Sequence, residues 1–249
     1  MGRRVDSMHE HMAPTAFSRR GLHGQLVDAL GSRIVGGRIQ PGETIDGQAV
    51  EAEFDVSRTV VREALKVLTA KGLVDARPRL GTFVRDRVHW NLLDSDIMAW
   101  RGSADSPDRR LLLELGEVRA IVEPGAAALA ASRRTGAQLV RIRTALLVME
   151  DSADVEATID ADIEFHLGIL AAAGNELMER FEVMLVPALR ARDNVTLRHE
   201  HGREYLVFHR EVFEAIERSD PAGAEHRMRA LLTTAAEDAE QVLRKGARA

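Results

Sequence analysis

The stretch FDVSRTVVREALKVLTAKGLVDARPRLGTFVRD, residues 54–86, decides how the chain is read. Ser57 precedes a run in which Val60, Val61, Ala64, Leu65 and Leu68 recur at helical spacing, so Ser57 is the expected N-cap and Gly72 the expected stop. Beyond the stop, LVDARPRLGTFVRD alternates around a turn at Pro78 to Gly81 and predicts two short strands. Arg58 and Arg62 stand four apart at the helix start beside the hydroxyls of Ser57 and Thr59, and the hairpin carries Arg77, Arg79, Gly81 and Arg85. Guanidinium forks match the paired acceptors of a guanine edge, while hydroxyls and N-terminal amides suit phosphate. An ordinary solvated helix face would explain the first two arginines. It does not explain a basic hairpin directly after them.

Upstream, Leu22, Leu26, Leu30 and Ile34 mark a helix that stops at Gly36-Gly37. Pro41-Gly42 makes a turn, and Asp46 can cap a second, short helix. Three helices followed by a two-stranded hairpin form a winged helix-turn-helix arrangement, expected over residues 18–87. Residues 1–17 lack sustained periodicity and are expected to be a flexible arm. Downstream, residues 88–107 read as an apolar linker that docks, and residues 108–245 as an all-α bundle of six or seven amphipathic helices. The fold class expected is mainly α, with two domains.

Composition narrows the chemistry. The 249-residue chain has no cysteine, which removes disulfides, thiolate metal sites and cysteine nucleophiles and suits a reducing interior. No signal peptide or membrane span is read, so a cytoplasmic location without membrane contact is expected. The net charge of −5 divides unevenly: Phe17 to Arg87 balance at +3 and residues 88–249 at −8, as expected if only the first part faces phosphate.

In the helical part, Asp162 and His166 in DADIEFHLGIL are four apart and therefore about 5–6 Å apart on one helix face, where an oxygen and an imidazole can chelate a divalent ion. His209 lies on a later helix among Val207, Val212, Phe213 and Ile216 and can point inward. Each of these also reads as an ordinary hydrogen-bonded core residue. Only together do they suggest a metal.

QPGETI, VSRTVVREALKVLTAKGLV and RPRLGTFV resemble the DNA-binding domain of the GntR transcription regulators, over Leu22 to Val84. The resemblance implies that Arg58, Arg62 and the wing tip contact double-stranded operator DNA. Gln48 stands where the family usually has an arginine, and Arg79 where the wing usually has a glycine. Residues 108–244 resemble the FCD effector domain of the FadR subgroup, in which an Asp-x3-His pair, a later His and a last His hold a metal in the ligand cavity. Asp162, His166 and His209 match the first three, implying a divalent ion such as Zn, Ni, Mn or Mg. The last place is Leu231, and His226, five residues earlier on a helix, lies about 140° around the axis.

The same resemblance implies a small-molecule carboxylate effector, for which guanidinium forks are the usual partners. Arg119 is the first candidate, with Glu123 four residues on as its ion-pair partner; Arg190 and Arg192 follow, though either also reads as solvated surface. HWNLLDSDIMAW and GEVRAIVEP resemble the galactonate-responsive, DgoR-type regulators and suggest a sugar acid such as an aldonate. One reading head per chain implies a homodimer on a near-palindromic site. The expected function is a DNA-binding repressor relieved by its effector, not an enzyme. The alternatives are a metal-dependent enzyme, since an Asp-His-His site can activate water, and an effector-insensitive DNA-binding protein.

Overall fold

The computed structural model describes residues 21–102, 109–196 and 204–246. The expected arm, residues 1–17, lies outside the described residues, as does part of the expected linker, residues 103–107. The chain divides into two compact units, residues 1–91 and 92–249. Among the described residues no helix is long and apolar enough to cross a membrane.

The first unit opens with α1 (Leu22–Val35), α2 (Gly47–Phe54) and α3 (Arg58–Ala70). Leu26, Leu30 and Ile34 of α1 are buried, as are Val61, Ala64 and Leu68 of α3. Those stripes face each other because three- and four-residue spacing puts them on one side of each helix. Both short helix starts are capped by side chains: Asp46 Oδ1 accepts from the Gln48 amide at 2.9 Å, and Ser57 Oγ from the Val60 amide at 3.4 Å. Each such cap is worth about 1 kcal/mol.

The expected hairpin is β2 (Val74–Arg77) and β3 (Gly81–Val84), antiparallel, with Val74 opposite Val84 and Arg77 opposite Gly81. A third strand, β1 (Thr44–Ile45), pairs with β3 and was not expected from the sequence. Two residues are too few to show a period of two, and Ile45 alone turns inward. After β3 a 3₁₀ turn (Arg87–His89) leads to Trp90, buried, with Nε1 donating to the Arg85 carbonyl at 2.9 Å. The expected linker therefore starts inside the first unit. Its backbone runs along the end of α3, where the Asn91 amide donates to the Lys71 carbonyl at 3.0 Å.

In the second unit, the linker segment forms α4 (Ser95–Arg101), capped by Asp94, and Met98 packs with Leu111, Leu115 and Ala188. Six long helices follow: α5 (Arg109–Arg133), α6 (Gly136–Asp151), α7 (Val155–Ala172), α9 (Glu182–Thr196), α10 (Tyr205–Glu217) and α11 (Pro221–Gly246). The remaining short helix, α8 (Glu176–Glu179), precedes α9, so a stretch that reads as one helix in the sequence is broken at Arg180 and Phe181. Helix α7 is central: Ile159, Ile163, Phe165, Ile169 and Leu170 are all buried, and α5, α6 and α9 pack on it. Helix α5 continues through Pro124.

Gly72 joins α3 to β2 at φ 77°, and a Cβ there would meet the His89 carbonyl oxygen at 2.2 Å. Gly42 also has positive φ, 87°, but a Cβ on it would meet nothing within 4 Å. Gly42→Ala should therefore cost only the local strain, roughly 1–2 kcal/mol. Gly72→Ala adds a clash with backbone, and urea unfolding should show it losing more than Gly42→Ala.

Candidate functional site

The first unit presents its basic residues outward. Gln48, Ser57, Arg58, Thr59, Arg62, Arg77, Arg79 and Gly81 are all exposed, while the opposite face of α3 is buried. Arg62 is 71% exposed, with only a 3.9 Å approach to Glu63. Arg77 lies over the Phe83 ring at 4.7 Å, which holds its guanidinium along the hairpin. Arg79 occupies the left-handed region at φ 68°, a conformation that costs an L-residue roughly 1–2 kcal/mol and explains why a glycine would be easier there. The arginine instead places a cation in the three-residue loop between β2 and β3.

Within the second unit, Arg119 and Glu123 from α5, Asp162 and His166 from α7, Asp193 from α9 and His209 from α10 are all buried, and Arg192 of α9 is 13% exposed. Charged groups at such positions must pair with one another, because an isolated buried ion costs several kcal/mol. Arg119 Nε pairs with Glu123 Oε1. His166 Nδ1 lies 2.5 Å from Glu123 Oε2, and its Nε2 lies 3.5 Å from Arg119 Nη2. An arginine can only donate, so Nε2 is the unprotonated nitrogen and Nδ1 carries the proton towards Glu123.

His209 is oriented in the same sense. Its Nδ1 lies 2.9 Å from the Tyr205 carbonyl, which can only accept, so the lone pair is on Nε2. That Nε2 is 2.9 Å from Asp162 Oδ1. Two acceptors so close need a second proton or a cation between them. His166 Nε2 lies 3.9 Å from the same oxygen, and one donor atom from each of Asp162, His166 and His209 falls within 4.8 Å of the others. Phe165 meets both imidazoles edge-on, at 5.6 and 5.1 Å, and restricts their rotation. An oxygen and two imidazole nitrogens thus lie close enough together to hold a divalent ion.

The titration of the cluster follows its pairing. Burial would raise the Glu123 carboxyl, but Arg119 and His166 outweigh it and bring it down to about 2. Burial acts likewise on Asp162, and Arg192 first among its neighbours holds it well below the usual carboxylate range. Burial lowers His166 despite Glu123 and Asp162, keeping the ring neutral as a ligand must be. Asp193 goes the other way: burial, helped by the charge of Asp162, outweighs Arg192 and pushes it up to about 7.

A cavity of about 510 Å³ opens among α5, α9 and α11, a size suited to a small molecule. Leu112, Leu115, Ala188 and Leu232 form part of its wall, and Arg119 and Arg192 both line it. Those two arginines also touch the Asp162–His166–His209 cluster, Arg119 at His166 and Arg192 at Asp162, the latter at 2.8 Å.

Several expected residues meet here and others do not. Arg192 is not surface but part of the cluster, whereas Arg190 is exposed and paired with Asp160 at 2.6 Å. Val207, expected beside His209 on the inner face, is 51% exposed; Leu206 takes the inward place. Leu231 is buried and His226 exposed, so neither adds a ligand. Asp193 escaped the sequence reading. Its signal was there: Leu185, Leu189 and Asp193 stand four apart, an acid on an otherwise apolar stripe.

Residues 22–84 match the family described as bacterial regulatory proteins, gntR family, and residues 114–234 match the FCD domain. The galactonate operon transcriptional repressor of Escherichia coli is 34% identical over 81% of this chain and 89% of its own length. The Bacillus subtilis regulator LutR is 34% identical over 80% of this chain and 93% of its own. Among solved structures, the Listeria monocytogenes protein Lar shares the fold at a TM-score of 0.62, with 20% identity over 89% of this chain and 98% of that one. The chain belongs to the GntR family of bacterial transcription regulators and joins that family's DNA-binding domain to an FCD domain.

Proposed function

We propose that the protein is a dimeric repressor whose operator affinity falls when a small carboxylate enters the cavity of the second unit and joins a divalent ion on Asp162, His166 and His209. The observation that carries this is the double duty of Arg119 and Arg192, which line the cavity and also contact that ligand set. A carboxylate at the cavity's inner end would meet two guanidinium groups and the ion together. Two imidazoles in the set favour Zn, Ni or Mn over Mg, which prefers oxygen ligands. With three protein ligands, coordination positions remain for water or for the carboxylate and hydroxyl of a 2-hydroxy acid. The relative named as the galactonate operon repressor favours a sugar acid, with an aldonate as the first compound to try.

Operator contact is assigned to the exposed start of α3 and to the wing. Arg58→Ala and Arg62→Ala should each weaken operator binding by about 1–3 kcal/mol if a base contact is lost, or lower the salt slope by about one unit if a phosphate contact is lost. Parental binding by both variants across a salt series would remove α3 from the interface.

One reading head gives few contacts, and a two-fold dimer doubles them. Light scattering at micromolar concentration should return about twice the 27.5 kDa chain mass. A chain that stays monomeric on its operator contradicts the dimer.

An effector shifts the DNA-binding equilibrium only by its differential affinity for the two states, typically 5–150-fold, or about 1–3 kcal/mol. His209→Ala should lose the ion and the aldonate response while retaining operator binding. Arg119→Ala should retain the ion and lose the response. Operator affinity measured with and without aldonate separates these cases: an unchanged response in both variants removes the cavity from the mechanism, and a parent that binds DNA identically with every acid tried is an effector-insensitive binder.

A further inference from the structure

Arg192 is shared between two carboxylates. Its Nη2 lies 2.8 Å from Asp162 Oδ2 and 2.5 Å from Asp193 Oδ1, and its Nε donates to that same Asp193 oxygen at 2.6 Å. Both contacts to Asp193 therefore fall on one oxygen. The other, Oδ2, belongs to a side chain only 2% exposed and has no hydrogen-bond partner among the described residues. A guanidinium facing a single carboxylate sets two nitrogens on two oxygens. Here Asp162 draws Nη2 aside, and the fork with Asp193 is left incomplete.

We propose that Asp193 is a second seat for Arg192, which gives up Asp162 Oδ2 when a divalent ion takes the neighbouring Oδ1 that faces His209 and His166. When the ion takes Asp162, Nη2 leaves Asp162 Oδ2 for Asp193 Oδ2 and completes the two-nitrogen, two-oxygen fork. The inference rests on the reading of Asp162, His166 and His209 as an ion site. An arginine keeps its charge in a protein interior, so an ion arriving at Asp162 repels it and leaves it needing another counter-ion. Without Asp193, freeing Asp162 would strand a buried guanidinium, and ion binding would be resisted. The unpartnered Oδ2 is the acceptor that this movement fills. Because Arg192 also lines the cavity, ion loading re-aims a group that an incoming carboxylate meets. Asp193 is thus a positioning residue for the ion site and not one of its ligands.

The exchange is tested by calorimetric titration of nickel(II) into the chelator-stripped full chain, for the parent, Arg192→Met, Asp193→Asn and the double variant. Removing the competing cation should tighten nickel binding in Arg192→Met by about tenfold, and removing the second seat should weaken it in Asp193→Asn by about tenfold. In the double variant the second loss should vanish, and affinity should match Arg192→Met. An Asp193→Asn loss that persists without Arg192 would make Asp193 a ligand or a structural residue and overturn the exchange. Unchanged nickel affinity in Arg192→Met would overturn it as well, whether or not Asp193→Asn folds. A parent that binds no nickel, zinc or manganese would instead remove the ion site itself.

Discussion

Four helices of the second unit bring ionisable side chains into its interior, and none of those groups is stable there alone. Arg119 needs Glu123, Glu123 also faces His166, Asp162 needs Arg192, and Arg192 spans Asp162 and Asp193. Breaking a buried pair from one side costs about 3–5 kcal/mol, because the partner's charge stays behind. The network therefore orients each side chain more strictly than apolar packing would. Within it His209 Nε2 and Asp162 Oδ1 face each other at 2.9 Å, and because Nδ1 already donates to the Tyr205 carbonyl, a proton or a cation must lie between them.

The first unit works under the opposite constraint. Its buried residues are apolar, and its charged groups are kept outside: Arg58 and Arg62 of α3 and Arg77 and Arg79 of the wing are exposed, and the helix is capped by Ser57. The exposed basic surface rests on a core that none of its members joins, so substitutions on it should leave the fold alone. In this unit two non-glycine residues, Asp55 at the end of α2 and Arg79 at the wing, adopt positive φ.

How much was legible in the sequence follows from these two constraints. Helix α3 and the β2–β3 hairpin could be read from spacing alone, because a strong apolar stripe and a single turn leave little choice. Strand β1 could not, since two residues have no period. In the second unit Asp162, His166 and His209 were legible as one cluster, but Asp193 was not and Arg192 was half-read as surface. Both sit on α9, where attention to charge at exposed positions misleads; the informative feature is charge on the buried stripe. The same feature marks α5, in which Leu111, Leu115, Arg119, Glu123 and Ala127 follow at intervals of four and two of the five are ionic. The break between α8 and α9 was hidden for the opposite reason, as MERFEV continues a helical pattern without a glycine or proline.

The central claim is that the ion in the charged cluster and the carboxylate in the adjoining cavity act together on DNA binding. Its most direct test is operator affinity, followed by fluorescence anisotropy, for chelator-stripped protein and for the same protein reloaded with zinc, nickel or manganese, each titrated with an aldonate. The account predicts that the aldonate weakens operator binding of the reloaded protein and has little effect on the stripped one. An equal response in both, with the stripped protein verified free of metal, would contradict it.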